Sequence, residues 1–201
     1  MRLVRDLPAD FPAPIAVVLH IPADAPSMLA DILRRKGPLQ AQMAANGDPF
    51  EAGTIYVARP DHHLLVRGNG KLTLHVARGP RENRHRPSVD SLFQSAALAA
   101  RENAIGVILS GALDDGTSGL MAIRQCGGTT VVQKPSDALY PAMPQSAIDH
   151  VDVDHIVPLA ELGRLLDRLV RETPLQPGAA PATLRLETSM AGHDALRTGW
   201  R

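Results

Sequence analysis

Residues 105–119 read IGVILSGALDDGTSG, an apolar run followed by a glycine-rich loop that carries two adjacent aspartates. A short continuous apolar run of this kind is typical of a strand that is buried on both faces of a parallel sheet. Loops at the carboxyl ends of such strands usually hold the functional residues of open α/β sheets. Aspartate and glycine are also common in plain turns, so the stretch predicts a strand and leaves two interpretations of the loop.

Strand patterns alternate with helical patterns along the rest of the chain. The alternation predicts an α/β fold with a doubly wound, mostly parallel sheet. Two consecutive strand patterns joined by GNG (68–70) predict an antiparallel β-hairpin that is an annex to this sheet. We expect strands at 15–19, 53–59, 62–67, 71–78, 105–109, 129–133 and 155–159, and helices at 26–36, 88–102, 117–125, 144–150 and 160–172.

Composition limits the possible partners and location of the protein. The 21 basic residues balance the 21 acidic ones, which argues against nucleic acid or an anionic membrane as a partner. Cys126 is the sole cysteine, so we expect no internal disulfide, a small packed side chain near a helix end and a reducing compartment. Neither a membrane-spanning run nor a signal peptide is recognisable, so we expect a cytoplasmic protein without membrane insertion.

The chain length favours one domain followed by a tail. We expect residues 1–172 to form the domain. Residues 173–201 are dominated by Pro, Gly and Ala, a composition that predicts a flexible C-terminal tail without a core of its own.

Polar side chains follow two of the predicted strands. His20 comes directly after IAVVL (15–19), and Asp114 and Asp115 follow the strand at 105–109. Because parallel strands end at one edge of a sheet, these side chains can meet there. A carboxylate that binds one ring nitrogen of a histidine fixes its tautomer and raises its basicity, as a general base requires. The alternative is a histidine bonded to the backbone beside an ordinary aspartate turn.

Other candidate sites carry weaker patterns. His62, His63, His75 and His85 lack the spacing of metal ligands, since the neighbours His62 and His63 would point to opposite faces of a strand. The glycine-rich loop lacks both common phosphate-binding patterns, and its carboxylates would repel phosphate. We therefore expect neither a metal nor a cofactor.

Five segments of the chain, in order, resemble the catalytic domain of the CheB family, the chemotaxis protein-glutamate methylesterases. The resemblance covers roughly residues 7–170. It implies a serine hydrolase that removes methyl groups from γ-glutamyl methyl esters in chemoreceptor signalling helices, and some members of the family also deamidate receptor glutamine. The segments are VVLHIP (17–22), YVARPDHHLLV (56–66), HRPSVDSLFQSAA (85–97), VILSGALDDGTSGLMAIRQCGG (107–128) and ALYPAMPQSAI (138–148).

The resemblance assigns roles to residues of this sequence. It implies that His20 is the general base, that Asp115 orients it and that Asp114 is solvated. Ala112 stands where the family commonly has methionine, at a position whose backbone N–H helps to stabilise the oxyanion. The implied partners are methylated chemoreceptor helices, with a chemotaxis kinase or a receiver domain as further candidates. Three more residues are expected either on the substrate side of this edge or at a helix start: Arg86, Ser88 and Asp90.

The nucleophile of the family has no counterpart in the sequence. The family carries it in a G-A-S-x-G-G segment between its first strand and first helix, and no G-x-S-x-G occurs in the 201 residues. Ser27, Ser110 and Ser118 fit helix starts or a loop rather than a nucleophile. We expect a sheet without the family's first strand. A start that is internal to a longer protein explains this better than a shortened, inactive relative, because every other motif is intact.

Two functions of other classes stay open. The missing nucleophile favours, as the alternative to an esterase, a non-catalytic binding module of a receptor signalling pathway. A third and weaker hypothesis is a small-molecule-binding domain.

Overall fold

The structure, a computed structural model, describes residues 2–23, 27–68 and 71–172. The predicted tail (173–201), most of the predicted GNG turn and Pro26, expected in the first turn of a helix, lie outside the described residues. The helices are α1 (Arg2–Arg5), α2 (Leu29–Lys36), α3 (Val89–Ala100), α4 (Thr117–Gln125), α5 (Ala142–His150) and α6 (Leu159–Glu172). The strands are β1 (Ile15–Val17), β2 (Gln40–Met43), β3 (Thr54–Val57), β4 (His63–Arg67), β5 (Thr73–Ala77), β6 (Ile105–Ile108), β7 (Thr129–Gln133) and β8 (His155–Val157).

The strands form two parallel sheets and one hairpin. One sheet has the order β1-β3-β2 and the other the order β6-β7-β8, and every pair within them is parallel. The hairpin pairs β4 with β5 in antiparallel register. The predicted α/β class, the mostly parallel strands and the hairpin annex are therefore confirmed. Among the described residues, β1 and β6 are end strands of their sheets.

The buried strands pack against helices on both faces, as a doubly wound sheet requires. In β7, Val131 and Val132 are both 0 % exposed. Val132 belongs to a cluster with Phe93 of α3, whereas Val131 packs with Leu162 of α6. Because neighbouring strand residues point to opposite faces, the two valines place one helix layer on each side.

Helices α3 and α4 approach each other closely at Gly119. A Cβ atom at Gly119 would lie 2.6 Å from the Cβ of Phe93 and 3.0 Å from the Cα of Asp90. This contact lets the first turn of α4 lie against the first turn of α3. The loop that precedes α4, which carries Asp115, is thereby held at the start of α3.

The structure differs from the sequence predictions in several places, and helix α1 (Arg2–Arg5) is one element that the sequence did not predict. Strand β2 was not predicted, because its QAQM sequence has no apolar run and buries only Ala41. The helix predicted at 88–102 begins one residue later, since Ser88 is the N-cap of α3 and the helix starts at Val89. The strand predicted at 15–19 ends at Val17, which leaves Leu19 and His20 in the following loop. Among the helices of the described residues, none combines the length and the apolar composition needed to cross a membrane.

Candidate active site

His20 and Asp115 meet at the carboxyl ends of β1 and β6. The Nε2 atom of His20 lies 2.7 Å from Oδ2 of Asp115, although 95 residues separate them in the chain. The Asp115 side chain is 0 % exposed, whereas the His20 side chain is 29 % exposed. The pair therefore consists of a buried carboxylate and an imidazole that is open to solvent.

The first turn of α3 provides most of the hydrogen bonds to Asp115. The N–H groups of Val89 and Asp90 donate at 2.7 and 3.1 Å, and the Ser88 hydroxyl donates at 2.8 Å. A helix N-terminus favours an anion because its first N–H groups have no partner within the helix. Burial alone would raise the pKa of Asp115, but the bonds from His20, Val89, Asp90 and Ser88 outweigh burial and hold that pKa below its usual value.

The ionised Asp115 fixes the tautomer of His20. A carboxylate can only accept hydrogen bonds, so Nε2 of His20 must carry the proton in the bond to Asp115. In the neutral imidazole, Nδ1 then has a free lone pair. The arrangement leaves Nδ1 of His20 able to accept a proton, which is what a general base requires.

A second buried carboxylate, Asp90, supports the loop that carries Asp115. Its Oδ1 accepts hydrogen bonds from the N–H groups of Gly116 at 3.0 Å and Gly119 at 2.7 Å, and its Oδ2 accepts from Nδ2 of Asn83 at 3.1 Å. Asp90 is 4 % exposed. Burial raises the pKa of Asp90 to about 7; the charge of Asp115 adds to the rise, and the two glycine N–H groups oppose it.

The structure shows the contacts of Arg86, Ser88 and Asp90, which were expected either on the substrate side of this edge or at a helix start. Ser88 and Asp90 are buried. The Arg86 side chain is only 13 % exposed and donates to Asp61 and to the carbonyl of Gly79. The alternative, a helix start, is right for Ser88 and Asp90, because Ser88 caps α3 and Asp90 lies in its first turn. All three therefore have hydrogen-bond partners within the protein.

The loop between β6 and α4 holds the other residues implied by the resemblance. Ala112, Leu113 and Asp114 are exposed, and Leu113 has a left-handed backbone with φ of 65°, which is uncommon for a residue other than glycine. The exposure of Ala112 leaves its backbone accessible to a substrate. Ser110 serves the loop, since its N–H donates to Gln133 and its Oγ accepts from the N–H of Tyr140.

The wall of the site beside His20 comes from the loop that precedes α3. The ring of His85 stacks on that of His20 with a centroid distance of 4.2 Å. Among the described residues, Nε2 of His85 is buried without a hydrogen-bond partner. No pattern in the sequence indicates that His85 stacks on His20.

Histidine side chains outside this pair have structural contacts. His63 is 0 % exposed, and its Nε2 donates to the carbonyl of Pro80 at 2.7 Å. Burial lowers the pKa of His63, which keeps this side chain neutral.

Cys126 is buried at the end of α4, as predicted. In the described part of the chain, no three His, Cys, Asp or Glu side chains are grouped so that they could hold a metal ion.

Comparison with known proteins identifies the family of the chain. The family described as CheB methylesterase matches residues 1–166. The chain belongs to the CheB methylesterase family. The crystal structure of the Thermotoga maritima CheB methylesterase catalytic domain superposes with a TM-score of 0.81 at 32 % identity, covering 84 % of this chain and 90 % of that one.

The names of the curated relatives give two activities, methylesterase and glutaminase. The protein-glutamate methylesterase/protein-glutamine glutaminase 4 of Anaeromyxobacter dehalogenans is 38 % identical over 172 residues, 85 % of this chain. A protein of Leptospira interrogans with the same name, given provisionally, is 37 % identical over 167 residues, 83 % of this chain. This chain spans 48 % of the Anaeromyxobacter protein and 86 % of the Leptospira one. It therefore covers about half the length of the first of these relatives.

Proposed function

We propose that this CheB-family chain acts as a protein-glutamate methylesterase on γ-glutamyl methyl esters of chemoreceptor helices. The observation that carries the proposal is the 2.7 Å bond between His20 and the buried Asp115. The names of the relatives support the ester substrate and add glutamine deamidation as a second reaction of the same centre. Residues 1–172 act as the catalytic domain, and the site of action is the cytoplasm.

The proposed reaction uses His20 twice. Nδ1 of His20 takes the proton from a hydroxyl nucleophile while the nucleophile's oxygen forms a bond to the ester carbonyl carbon. The N–H of Ala112 donates to the oxyanion that develops. The proton on His20 then passes to the departing methoxide, which leaves as methanol. Water, deprotonated by the same nitrogen, then attacks the acyl carbonyl carbon. The bond to the nucleophile's oxygen breaks, that oxygen takes the proton back from His20, and the glutamate side chain is released as its carboxylic acid, which ionises.

Asp115 contributes to each step without changing its protonation state. Its Oδ2 accepts the hydrogen bond from the Nε2–H group of His20 in every step, and its charge stabilises the imidazolium that forms when Nδ1 is protonated. The serine nucleophile of the family pattern is not present as a G-x-S-x-G segment in the 201 residues. The test of function must therefore separate the base machinery from the nucleophile.

The test measures methanol release from methylated receptor fragments. The 201-residue chain is assayed beside a form extended upstream in frame to include any G-x-S-x-G-G segment. Release that disappears in His20→Ala, and survives in Asp114→Asn as the matched control, supports the proposal. Release that is indifferent to His20 would overturn the assigned base.

The absence of a recognisable nucleophile favours one rival function, a non-catalytic binding module. Receptor binding by both forms, without methanol release from either and unaffected by His20→Ala, would establish that module instead. Release by the short chain alone would show that the nucleophile lies within the 201 residues.

A further inference from the structure

The segment beside His20 is an unusually basic loop, residues 78–86, which we call the arginine loop. It contains Arg78, Arg81, Arg84 and Arg86 but only one acidic residue, Glu82. The chain as a whole has a formal net charge of zero. The positive charge is therefore local to this loop, and the proposed reaction described above makes no use of it.

A buried carboxylate fixes the arginine loop in place. Asp61 is 7 % exposed, and its Oδ1 lies 2.9 and 2.7 Å from Nε and Nη2 of Arg86. Arg78 reaches its Oδ2 at 2.5 Å, and Arg81 lies 3.7 Å from Oδ1. The hydrogen bond from Arg86 is the largest of the effects that hold the pKa of Asp61 below its usual value. One carboxylate thus faces three guanidinium groups, which leaves an excess of positive charge.

That excess charge is available to solvent on the outer arginines. The Arg78 side chain is 47 % exposed and the Arg81 side chain 54 % exposed, and Arg84 is also exposed. The loop is tightly folded, because Glu82 and His85 exchange backbone hydrogen bonds of 3.0 and 2.7 Å. His85 of this turn stacks on His20. The exposed guanidinium groups therefore belong to the loop that contacts His20 through His85.

Exposed apolar side chains lie along the same strand-end edge and form what we call the apolar rim. Leu19 precedes His20, and Leu113 lies two residues before Asp115. Tyr140 is held beside this loop, since its carbonyl accepts from the N–H of Gly111 at 2.9 Å. The exposed fractions are 50 % for Leu19, 61 % for Leu113, 81 % for Leu139 and 60 % for Tyr140.

We propose that the arginine loop and the apolar rim together bind an acidic amphipathic helix, with carboxylate side chains that flank the reacting ester on the arginines. This proposal rests on the proposed function and specifies its substrate class. In a helix, side chains one and two turns from the ester lie about 5 and 11 Å along the axis, so acidic neighbours of the ester reach beside His20. The apolar stripe of the same helix covers the rim.

The test measures binding of two synthetic helical peptides to the 201-residue chain by fluorescence anisotropy over a range of salt concentrations. Each peptide has three heptads with an apolar stripe and one central glutamine in place of the ester. One peptide carries glutamate a turn before and after the centre, and the other carries glutamine there. We expect the acidic peptide to bind about tenfold more tightly, with a preference that falls as salt rises.

Variants locate the binding surface. Arg78→Gln/Arg81→Gln is expected to abolish the preference for the acidic peptide, while Arg164→Gln/Arg168→Gln, the same charge change on the exposed face of α6, leaves it intact. Leu139→Ser is expected to weaken the binding of both peptides, while Ile156→Ser on β8 leaves the binding of both unchanged. Equal binding of both peptides, binding of neither, equal loss in the α6 variant, or equally tight binding of unstructured polyglutamate would each overturn the proposal.

The outcomes separate this proposal from the proposed function. Methanol release without a preference for acidic flanks contradicts the arginine loop as a substrate surface and leaves the esterase intact. Preferential binding of the acidic helix without release from any ester contradicts the esterase and leaves the surface intact.

Discussion

Two buried carboxylates at the start of α3 have opposite acid–base behaviour. Asp115 binds the imidazole of His20 and three donors of α3, which together favour its charged form. Burial, reinforced by the charge of Asp115, disfavours the charged form of Asp90 and raises its pKa to about 7. At neutral pH Asp115 is therefore ionised, whereas Asp90 is close to the midpoint of its titration. The charge resides on the residue that orients His20.

The raised pKa of Asp90 makes stability depend on pH near neutrality. The folded state binds this proton up to about pH 7, whereas the unfolded state releases it near 3.8, so this group destabilises the fold increasingly as pH rises between those values. Asp90→Asn removes the titration and keeps an acceptor for Gly116 and Gly119. In urea unfolding, we expect the unfolding free energy of the variant, compared with that of wild type, to increase by about 1–3 kcal/mol as the pH rises from 5 to 8. A difference that does not change with pH would contradict the assignment.

The contribution of Asp115 to stability depends on pH in the opposite direction. Its pKa is lowered in the folded state, so its contribution is present above about pH 4 and is lost as the pH falls through the folded value. Asp115→Asn should cost about 2–4 kcal/mol of unfolding free energy at pH 7, because four donors lose a charged acceptor. The loss should shrink in acid. Asp114→Asn, at the exposed neighbour, is the matched control, and an equal effect of both changes would refute the role of the buried charge.

At the level of elements, the approach of α3 and α4 places the Asp115 loop. Gly119→Ala would put a Cβ 2.6 Å from the Cβ of Phe93 and 3.0 Å from the carbonyl oxygen of Asp90. We expect α4 to shift away from α3, with a loss of about 1–3 kcal/mol in chemical unfolding. The shift should also disturb the bond from the Gly119 N–H to Oδ1 of Asp90. Because the Gly116 N–H donates to the same oxygen, its amide NMR signal should change as well. Ser118→Ala, one residue earlier on the exposed face, should change stability by less than about 0.5 kcal/mol.

The sequence predicts elements well where hydrophobic patterns are continuous. The β6 and β7 runs and the helix at 117–125 match the structure closely, because buried parallel strands and amphipathic helices leave strong periodic signals. Strand β2 was missed because QAQM buries only Ala41, so its pairing with β3 rather than its own composition makes it a strand. Short edge strands of this kind are determined by tertiary contacts.

The candidate site could be predicted only in part. The strand-end rule allowed His20 to meet Asp115, and the family resemblance selected Asp115 over Asp114, but spacing alone could not choose this pair. The burial of Asp90 had no signal in the sequence, because it depends on Gly119 bringing α4 against α3. The stacking of His85 on His20 likewise depends on how Asp61 folds the arginine loop.

At the scale of the whole molecule, the parallel strands belong to two sheets that share cores. Ile15 and Val17 of β1 pack against the same cluster as Ile105 and Val107 of β6, while Ala16 and Ile108 belong to the cluster on the opposite face. The two end strands therefore present the same faces to the same helix layers. The bond between His20 and Asp115 joins their carboxyl ends. The candidate site thus depends on the relative placement of the two sheets, which the shared cores maintain.

This arrangement predicts an uneven distribution of local stability. Strands β3 and β7 are paired on both sides, whereas no second strand among the described residues pairs with β1 or β6. In native-state hydrogen exchange, the amides of β3 and β7 should open only with global unfolding, and those of β1 and β6 at clearly lower free energy. Equally slow exchange in β1 and β6 at all protein concentrations would show that their outer edges are covered within the monomer. Protection that fails on dilution would show instead that copies of the chain cover these edges by association, and the exposed edges would then account for oligomers in solution.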